Sequence, residues 1–545
     1  MNVRPPVVRR RAVDVAVFTL VLVAGYTRLP EPFFADQTVN LLMGQVIARG
    51  GAPYVDLWDP SYPGTFLFFA AAGEAFGYTE ISIHVFELLW MLLFAVAVRV
   101  AAGWYLEHHV AASLAPLIGV GTYYAGTTSY HLTQTEAIVG LPLLVSLAAA
   151  AYSLSSECRR PVRWLFASGV SGGIVAVFHG PYVGIPMVFW LLVVLEGRRR
   201  GIALCTAIRR IVPVVTAGAM LPVLLVLAYL LLRTGWHTVL WTLVIYPMQA
   251  IRECPISSQR LLDSTAWFVK TFRVPLVLCA FGAWDTLRRH PWQFSTVALL
   301  AWILVGTLLI VADVLSWWAY QYLLLLAPVA VLSVQGIKRL CLIVSDRATR
   351  GWFRAVTFGL LSLLAVQYGR QLQPVGGELS RSFRERLPLD EETLRAYQAD
   401  RYPSYREDAA AVAFLNSEEA HQGAIYVFAM PNLYHVARRS PAIPLLAAWF
   451  RPTVALWNRL IAELEAAAPP YILINDHELE FVIYQNPALM NQVRALRPRL
   501  ERRYSLLTTS TRGTWYVRMD LRVPPRTSPL RIRADGAAAL DREPE

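Results

Sequence analysis

Three aspartates stand in one short stretch where a membrane-bound chain has little structural need of them. The stretch from Arg28 to Gly77 reads RLPEPFFADQTVNLLMGQVIARGGAPYVDLWDPSYPGTFLFFAAAGEAFG and holds Asp36, Asp56 and Asp59 among aromatics and prolines. Asp36 lies just past the first apolar run, and polar groups at the rim of an apolar bundle are usually functional. Further along, Glu136 opens an apolar run in HLTQTEAIVG and His179 ends one in VFHGPY. Lys270 and Arg273 flank the start of another in WFVKTFRVP, and Gln321 and Tyr322 open WWAYQYLLLLAP. A carboxylate can take a proton from an attacking hydroxyl, and cations or other donors can stabilise a leaving phosphate. Each residue also has a plainer use. Asp36 can cap the helix that follows, Asp56 and Asp59 can serve local turns in DLWDPSYPG, and Glu136 can cap its own span. His179 can bond a free carbonyl, and Lys270, Arg273 and Tyr322 suit the membrane interface.

The elements that must position these residues are membrane spans. The chain has 545 residues, 56% of them hydrophobic and 16% charged, against about 25% charged in an ordinary soluble domain. That marks a polytopic α-helical membrane protein. The net charge of +12 comes from arginines beside apolar runs, the positive-inside pattern, and does not point to nucleic acid. The five cysteines include no close-spaced pair, so no zinc or redox site is expected. Since the span topology leaves only Cys254 clearly outside, no structural disulfide is expected either.

Arg9, Arg10 and Arg11 put the N-terminus in the cytoplasm, ahead of an uncleaved first span at about 13–29. The run Pro63–Gly77 contains Glu74 and falls short of the roughly 20 residues a span needs, so it is expected to re-enter the outer face. Spans follow at about 82–102, 110–126, 136–154, 164–179, 181–196, 211–232, 268–287, 294–313, 319–337 and 352–369, about eleven in all. With that count the later basic clusters fall inside, and the polar residues named above gather on the outer face around a first loop of 30–81. Residues 1–369 thus read as a membrane domain. Beyond it the pattern predicts an extracytoplasmic α/β domain over 370–525, with helices at about 407–418 and 456–468, and a disordered tail at 526–545.

The run ADQTVNLLMGQVIARGGAPYVDLWDPSYPG resembles the first outer loop of the GT-C-fold glycosyltransferases, which include the protein O-mannosyltransferases and the lipid A aminoarabinose transferase. In that family an acid follows the first span, a helix ends in Gly-x-Pro-Tyr, and Asp-x-Trp-Asp and a proline come next. Here these are Asp36, then Gly51, Pro53 and Tyr54, then Asp56, Trp58, Asp59 and Pro63. SGGIVAVFHGPYVGIPM is similar to the family's Gly-rich span, with His179 where a lysine is common. YQYLLLLAPVAVL resembles its Tyr-leucine-Pro span. AIYVFAMPNLYHVARRSPA resembles an outer-domain segment of bacterial members, with Asn432, Tyr434 and Arg438 in the matching run.

The resemblance implies a multi-pass glycosyltransferase of the bacterial cell envelope, set in the inner or plasma membrane. It would move a hexose or pentose from a polyprenyl-phosphate donor to a lipid, glycan or protein acceptor, with inversion. Asp36 is then the general base. Asp59, Glu136, Asp56, Tyr322 and Gln321 would hold acceptor or sugar, and Lys270, Arg273 and His179 the donor phosphate. Gln37 replaces the family's second acid and Ser61 a lysine, so a metal-dependent version is not favoured and no cofactor is implied. Two rivals use the same surfaces without chemistry. One is a lipid-sugar flippase, against which stand the lack of an inverted repeat and of charge deep in the spans. The other is a non-catalytic subunit of an envelope-polysaccharide assembly complex.

Overall fold

The structure, a computed structural model, describes residues 7–521 apart from 107–108, 256, 290–291, 316, 347–348, 386–390, 447–450 and 511. The tail expected at 526–545 lies outside the described residues. Helix α1 (Val7–Tyr26) leads through a short turn to α2 (Ala35–Ala48), which carries Asp36 in its first turn. Helix α3 (Pro63–Phe76) starts on a proline, whose missing N–H is no loss at that position. Its 14 residues reach about 21 Å, well short of the roughly 30 Å hydrocarbon core. Gly77, at φ 98°, then turns the chain into α4 (Glu80–Leu106).

Seven helical segments among the described residues are long and apolar enough to cross a membrane. They are α4, Thr135–Ser153 (mostly α5, Gly140–Ser153), α6 (Pro161–Phe178), Gly180–Arg199 (mostly α7, Gly184–Arg199) and α8 (Leu204–Arg233), and two that follow below. Next, α9 (Ser258–Thr271) and α10 (Arg273–Arg289) meet at 82° and make an eighth if they form one broken span. The last two are α11 (Phe294–Ala312) and Ala319–Ser345 (mostly α12, Leu326–Ser345).

The expectation of about eleven exceeds this set for physical reasons. Helix α1 carries Arg9, Arg10, Arg11 and Asp14 within its length. The segment at 110–126 is broken by a turn and a π-helical stretch, Leu117–Gly121, that follows Pro116. The span expected at 352–369 is part of α13 (Gly351–Arg384), a helix of 34 residues that runs unbroken through the domain boundary expected after residue 369.

The bend before α10 also has a visible cause. Pro275 has no N–H to give the carbonyl of Thr271 four residues back, and the side chain of Gln371 donates to that oxygen instead. The span expected at 268–287 is therefore split between the end of α9 and α10. Elsewhere glycines let helices touch. A Cβ on Gly169 of α6 would meet Val215 O at 2.3 Å, and one on Gly218 of α8 would meet Phe166 O at 2.4 Å.

Beyond α13 come α14 (Glu391–Arg401), α15 (Pro403–Leu415), β1 (Tyr426–Phe428), α16 (Val454–Ala467), β2 (Tyr471–Ile474), α17 (Asp476–Gln485), β3 (Tyr504–Ser510) and β4 (Gly513–Arg518). The sheet order is β1-β2-β4-β3, with β1 parallel to β2 and the other pairs antiparallel. Leu473 pairs with Val427 on one side and Trp515 on the other. This sheet does not have a core of its own. Val39, Leu42, Met43, Tyr54, Leu57, Trp58 and Phe66 of the first loop are buried in one cluster with Tyr426, Phe428, Trp457 and Trp515. The loop is thus held between bundle and outer domain.

Candidate active site

Asp36 is placed by the start of α2, and the start of α2 is fixed by its neighbour. Gln37 is fully buried; its Oε1 accepts the N–H of Phe34, and its Nε2 donates to the carbonyls of Ser129 and Leu132 at 2.7 Å each. An acid at this position could not donate to either carbonyl, which gives Gln37 a structural reason to stand where the resembling family has a second acid. Immediately before it, Asp36 Oδ2 accepts a hydrogen bond from Tyr320 at 3.1 Å. Burial raises the Asp36 carboxyl to about 6, and the nearby Asp59 charge adds to the rise, while the Tyr320 bond opposes it.

Asp59 reaches the same place through a strained turn. Tyr54 adopts the left-handed region at φ 66° although it is bulky and 1% exposed, a conformation that persists only where its surroundings over-determine it. Its hydroxyl donates to Ser61 O at 2.9 Å, and Ser61 N–H donates to Asp59 Oδ1 at 2.8 Å. Trp58, between the two, donates its ring N–H to Thr242 at 3.1 Å and its backbone N–H to Pro444 O of the outer domain at 3.0 Å. Asp59 is pushed above the usual carboxylate range, chiefly by burial. Thr133, next to the Leu132 carbonyl that Gln37 holds, and Trp317, next to Trp318, also have positive φ, at 54° and 51°.

Two more carboxylates face the group. Glu136 accepts from Tyr182 at 2.9 Å and lies within electrostatic reach of Asp36 and Asp313. Asp313 ends α11 and accepts from Gln321 at 2.8 Å. His179 stacks on Tyr182 with ring centres 4.0 Å apart, and Tyr62 packs 5.1 Å from it on the other side. Tyr130 stands 5.1 Å from Tyr320 and 6.0 Å from Trp318. Arg260 lies over the Trp318 ring at 4.5 Å. Buried Arg451 is within reach of both Arg260 and Asp313, and desolvation followed by the Arg260 charge lowers its affinity for its proton.

Of the residues singled out from sequence, Asp36, Asp59, Glu136, Gln321 and His179 meet in this one region. Asp56 does not; it is exposed, and its carboxylate caps Ala52 N–H at 2.8 Å. Tyr322 turns instead to α9, stacking on Phe268 at 4.8 Å with its hydroxyl 2.6 Å from Thr265. Residues Ala319–Leu325 form a 3-10 helix, which places successive side chains about 120° apart, so Tyr320 and not Tyr322 meets Asp36. Lys270 is exposed at the end of α9 opposite Arg260, and Arg273 is exposed at the start of α10. Among the described residues no group of three or more His, Cys, Asp or Glu side chains is arranged to hold a metal ion.

The residues missed from sequence are Tyr320, Asp313, Tyr130, Arg260 and Arg451. Asp313 had a signal, an acid just past a span, the same cue that drew attention to Asp36. Arg260 and Arg451 had none, since they arrive from segments 191 residues apart that only the tertiary fold joins.

By sequence the chain matches no protein-family model and none of the curated proteins. By structure it is similar to ArnT from Cupriavidus metallidurans bound to undecaprenyl phosphate, with a TM-score of 0.56 and 13% identity over 94% of this chain and 97% of that one. The apo state of the same protein gives 0.55 and 12% over the same shares. AglB, an oligosaccharyltransferase from Archaeoglobus fulgidus solved with an inhibitory peptide and a dolichol-phosphate, gives 0.48 and 14% over 94% and 75%. At such identities a likeness establishes architecture alone, and the architecture it establishes for this chain is the GT-C fold, a polytopic α-helical membrane body with a C-terminal α/β domain.

Proposed function

We propose that the protein is an integral-membrane glycosyltransferase that takes a sugar from a polyprenyl-phosphate donor and places it, with inversion, on a lipid, glycan or protein acceptor at the extracytoplasmic face. The observation that carries this reading is the Asp36 carboxyl, at the head of a loop helix, raised to about 6 by burial and by Asp59. A base poised near neutral pH suits proton abstraction. That the similarly folded ArnT was solved bound to undecaprenyl phosphate supports the donor class.

In this reading Asp36 takes the proton of the acceptor hydroxyl as its oxygen attacks the anomeric carbon. The bond from that carbon to the phosphate oxygen breaks on the opposite face, and the polyprenyl phosphate leaves with the electron pair. Tyr320 holds Asp36 in place. Asp59, Glu136 and Asp313, with Gln321 on Asp313, are suited to sugar and acceptor hydroxyls. The leaving phosphate faces Arg260 and Arg451, the cations that stand among these groups, with His179 beside Glu136 through Tyr182. Preorganised charges of this kind stabilise a developing anion without reorganising. Lys270 and Arg273, exposed at the end of α9 and the start of α10, take no part in this reading.

The test is donor turnover. Purified protein in lipid, given a panel of polyprenyl-phosphate sugars and a membrane extract, should release free polyprenyl phosphate and form product of inverted anomeric configuration. Release with retention would remove the single-displacement mechanism. Movement of the donor across the bilayer with no release would replace the enzyme by a carrier.

A further inference from the structure

Far from Asp36 the bundle holds a second concave site. Helix α4 starts at Glu80, which touches the outer domain through Arg395 at 2.8 Å, and ends 27 residues later at Leu106, about 40 Å away. There α4, α7, α10 and α12 surround a cavity of about 730 Å³ lined by Arg199, Asp285, Arg289, Gln335, Lys338 and Arg339.

The lining holds four cations and one acid. Asp285 is deeply buried, and a single oxygen, Oδ1, receives both Arg289 at 2.9 Å and Arg339 at 3.1 Å. Lys338 closes the end of α4 by donating to Leu106 O at 2.6 Å. Arg199 touches Glu196 and the carbonyl of Trp292, each at 3.2 Å, yet its side chain stays 53% exposed. Counting Glu196 and its second partner Arg200, five positive charges meet two negative ones. Arginines that only obey the positive-inside rule radiate outward among lipid headgroups. These converge from three helices on one hollow. Its lip is apolar: Trp292 is 67% exposed and Leu342 47%.

We propose that this cavity binds the phosphodiester headgroup of an anionic membrane phospholipid, with the acyl chains leaving over Trp292 and Leu342. Basic pockets between spans take such headgroups, and guanidinium groups pair with phosphate oxygens in short, strong bonds. The bound lipid would tie α7, α10 and α12 together at the end of the bundle remote from the first loop. The inference does not depend on the reaction proposed above.

Native mass spectrometry of the full chain, stripped of lipid in a neutral detergent, tests it with phosphatidylglycerol, phosphatidylcholine and inorganic phosphate as probes. The expected result is one retained phosphatidylglycerol, not displaced by phosphatidylcholine or by millimolar phosphate. Binding should weaken roughly tenfold or more in Arg199→Gln, from the loss of one charge-assisted contact, and still further in Arg199→Gln/Arg289→Gln. Arg288→Gln is the control: it removes a charge from the same helix end, but Arg288 packs on Trp284 and does not line the cavity. Equal loss in Arg288→Gln would make the effect one of general surface charge and overturn the site. Displacement by inorganic phosphate would make the ligand a soluble anion and overturn the lipid assignment, as would equal retention of phosphatidylcholine. Should the double variant not fold, the comparison of Arg199→Gln with Arg288→Gln decides alone.

Discussion

At the scale of single residues, the chemistry depends on what surrounds Asp36. Its carboxyl is moved from 3.8 to about 6, first by burial and then by Asp59. As a base it works deprotonated, so kcat/KM should fall as pH drops below about 6. The Tyr320 hydrogen bond favours the charged form. Tyr320→Phe should therefore move that acid limb to higher pH, which a pH–rate profile reads directly. The same shift has a sign for stability. The folded-state value lies above the unfolded one, so the native protein holds its proton more tightly. The penalty is absent below about pH 4, grows between 4 and 6, and is full above 6. Asp36→Asn should then melt higher than wild type at pH 7 and the difference should vanish near pH 4. Gln37 behaves the opposite way. Gln37→Glu sets a carboxylate against the carbonyls of Ser129 and Leu132, and should destabilise by about 2–4 kcal/mol in a thermal or denaturant melt.

At the scale of elements, sequence periodicity placed the outer helices to within a few residues and lost information where a proline or a tight turn rewrote local geometry. The outer helices expected at 407–418 and 456–468 appear as Pro403–Leu415 and Val454–Ala467. Asp36, Glu136 and His179 could be gathered from sequence because each sits at the end of an apolar run, and Asp59 because it lies in the same outer loop as Asp36. Tyr320 could not be told from Tyr322, since the choice depends on a 3-10 turn of seven residues with no mark in the composition. The bend at Phe272 is set by Pro275, which ends the hydrogen-bond ladder, and by Gln371, which takes over the Thr271 carbonyl from about 100 residues away. Two substitutions test how the elements meet. Gln371→Leu would leave Thr271 O without its donor and should lower stability by about 1–3 kcal/mol. Gly169→Leu forces a side chain into the Val215 carbonyl 2.3 Å away. It should separate α6 from α8 and give little folded protein by size-exclusion chromatography, whereas Gly359→Leu, which has open space around its Cβ position, should not.

At the scale of the whole molecule, the outer domain and the first loop act as one body. Glu31 is fully buried among Arg28, Arg401 and Tyr402, and Glu80 holds Arg395 and His435. The loop that bears Asp36 and Asp59 is thus fixed by residues more than 300 positions later in the chain, which no local pattern could reveal. Arg401→Ala leaves Glu31 with one cation fewer in a buried setting, and such losses are costly. It should speed proteolysis around the first loop and lower turnover while the spans stay intact by circular dichroism. The central claim, that Asp36 is the base of a glycosyl transfer, rests on one comparison above all others. Initial rates of polyprenyl-phosphate release would be measured for wild type and Asp36→Asn side by side, at matched folding and donor binding. A loss of roughly 10²–10⁴-fold in the variant, with donor affinity unchanged, is the result this account predicts. Equal rates in the two proteins would contradict it and remove Asp36 from the chemistry.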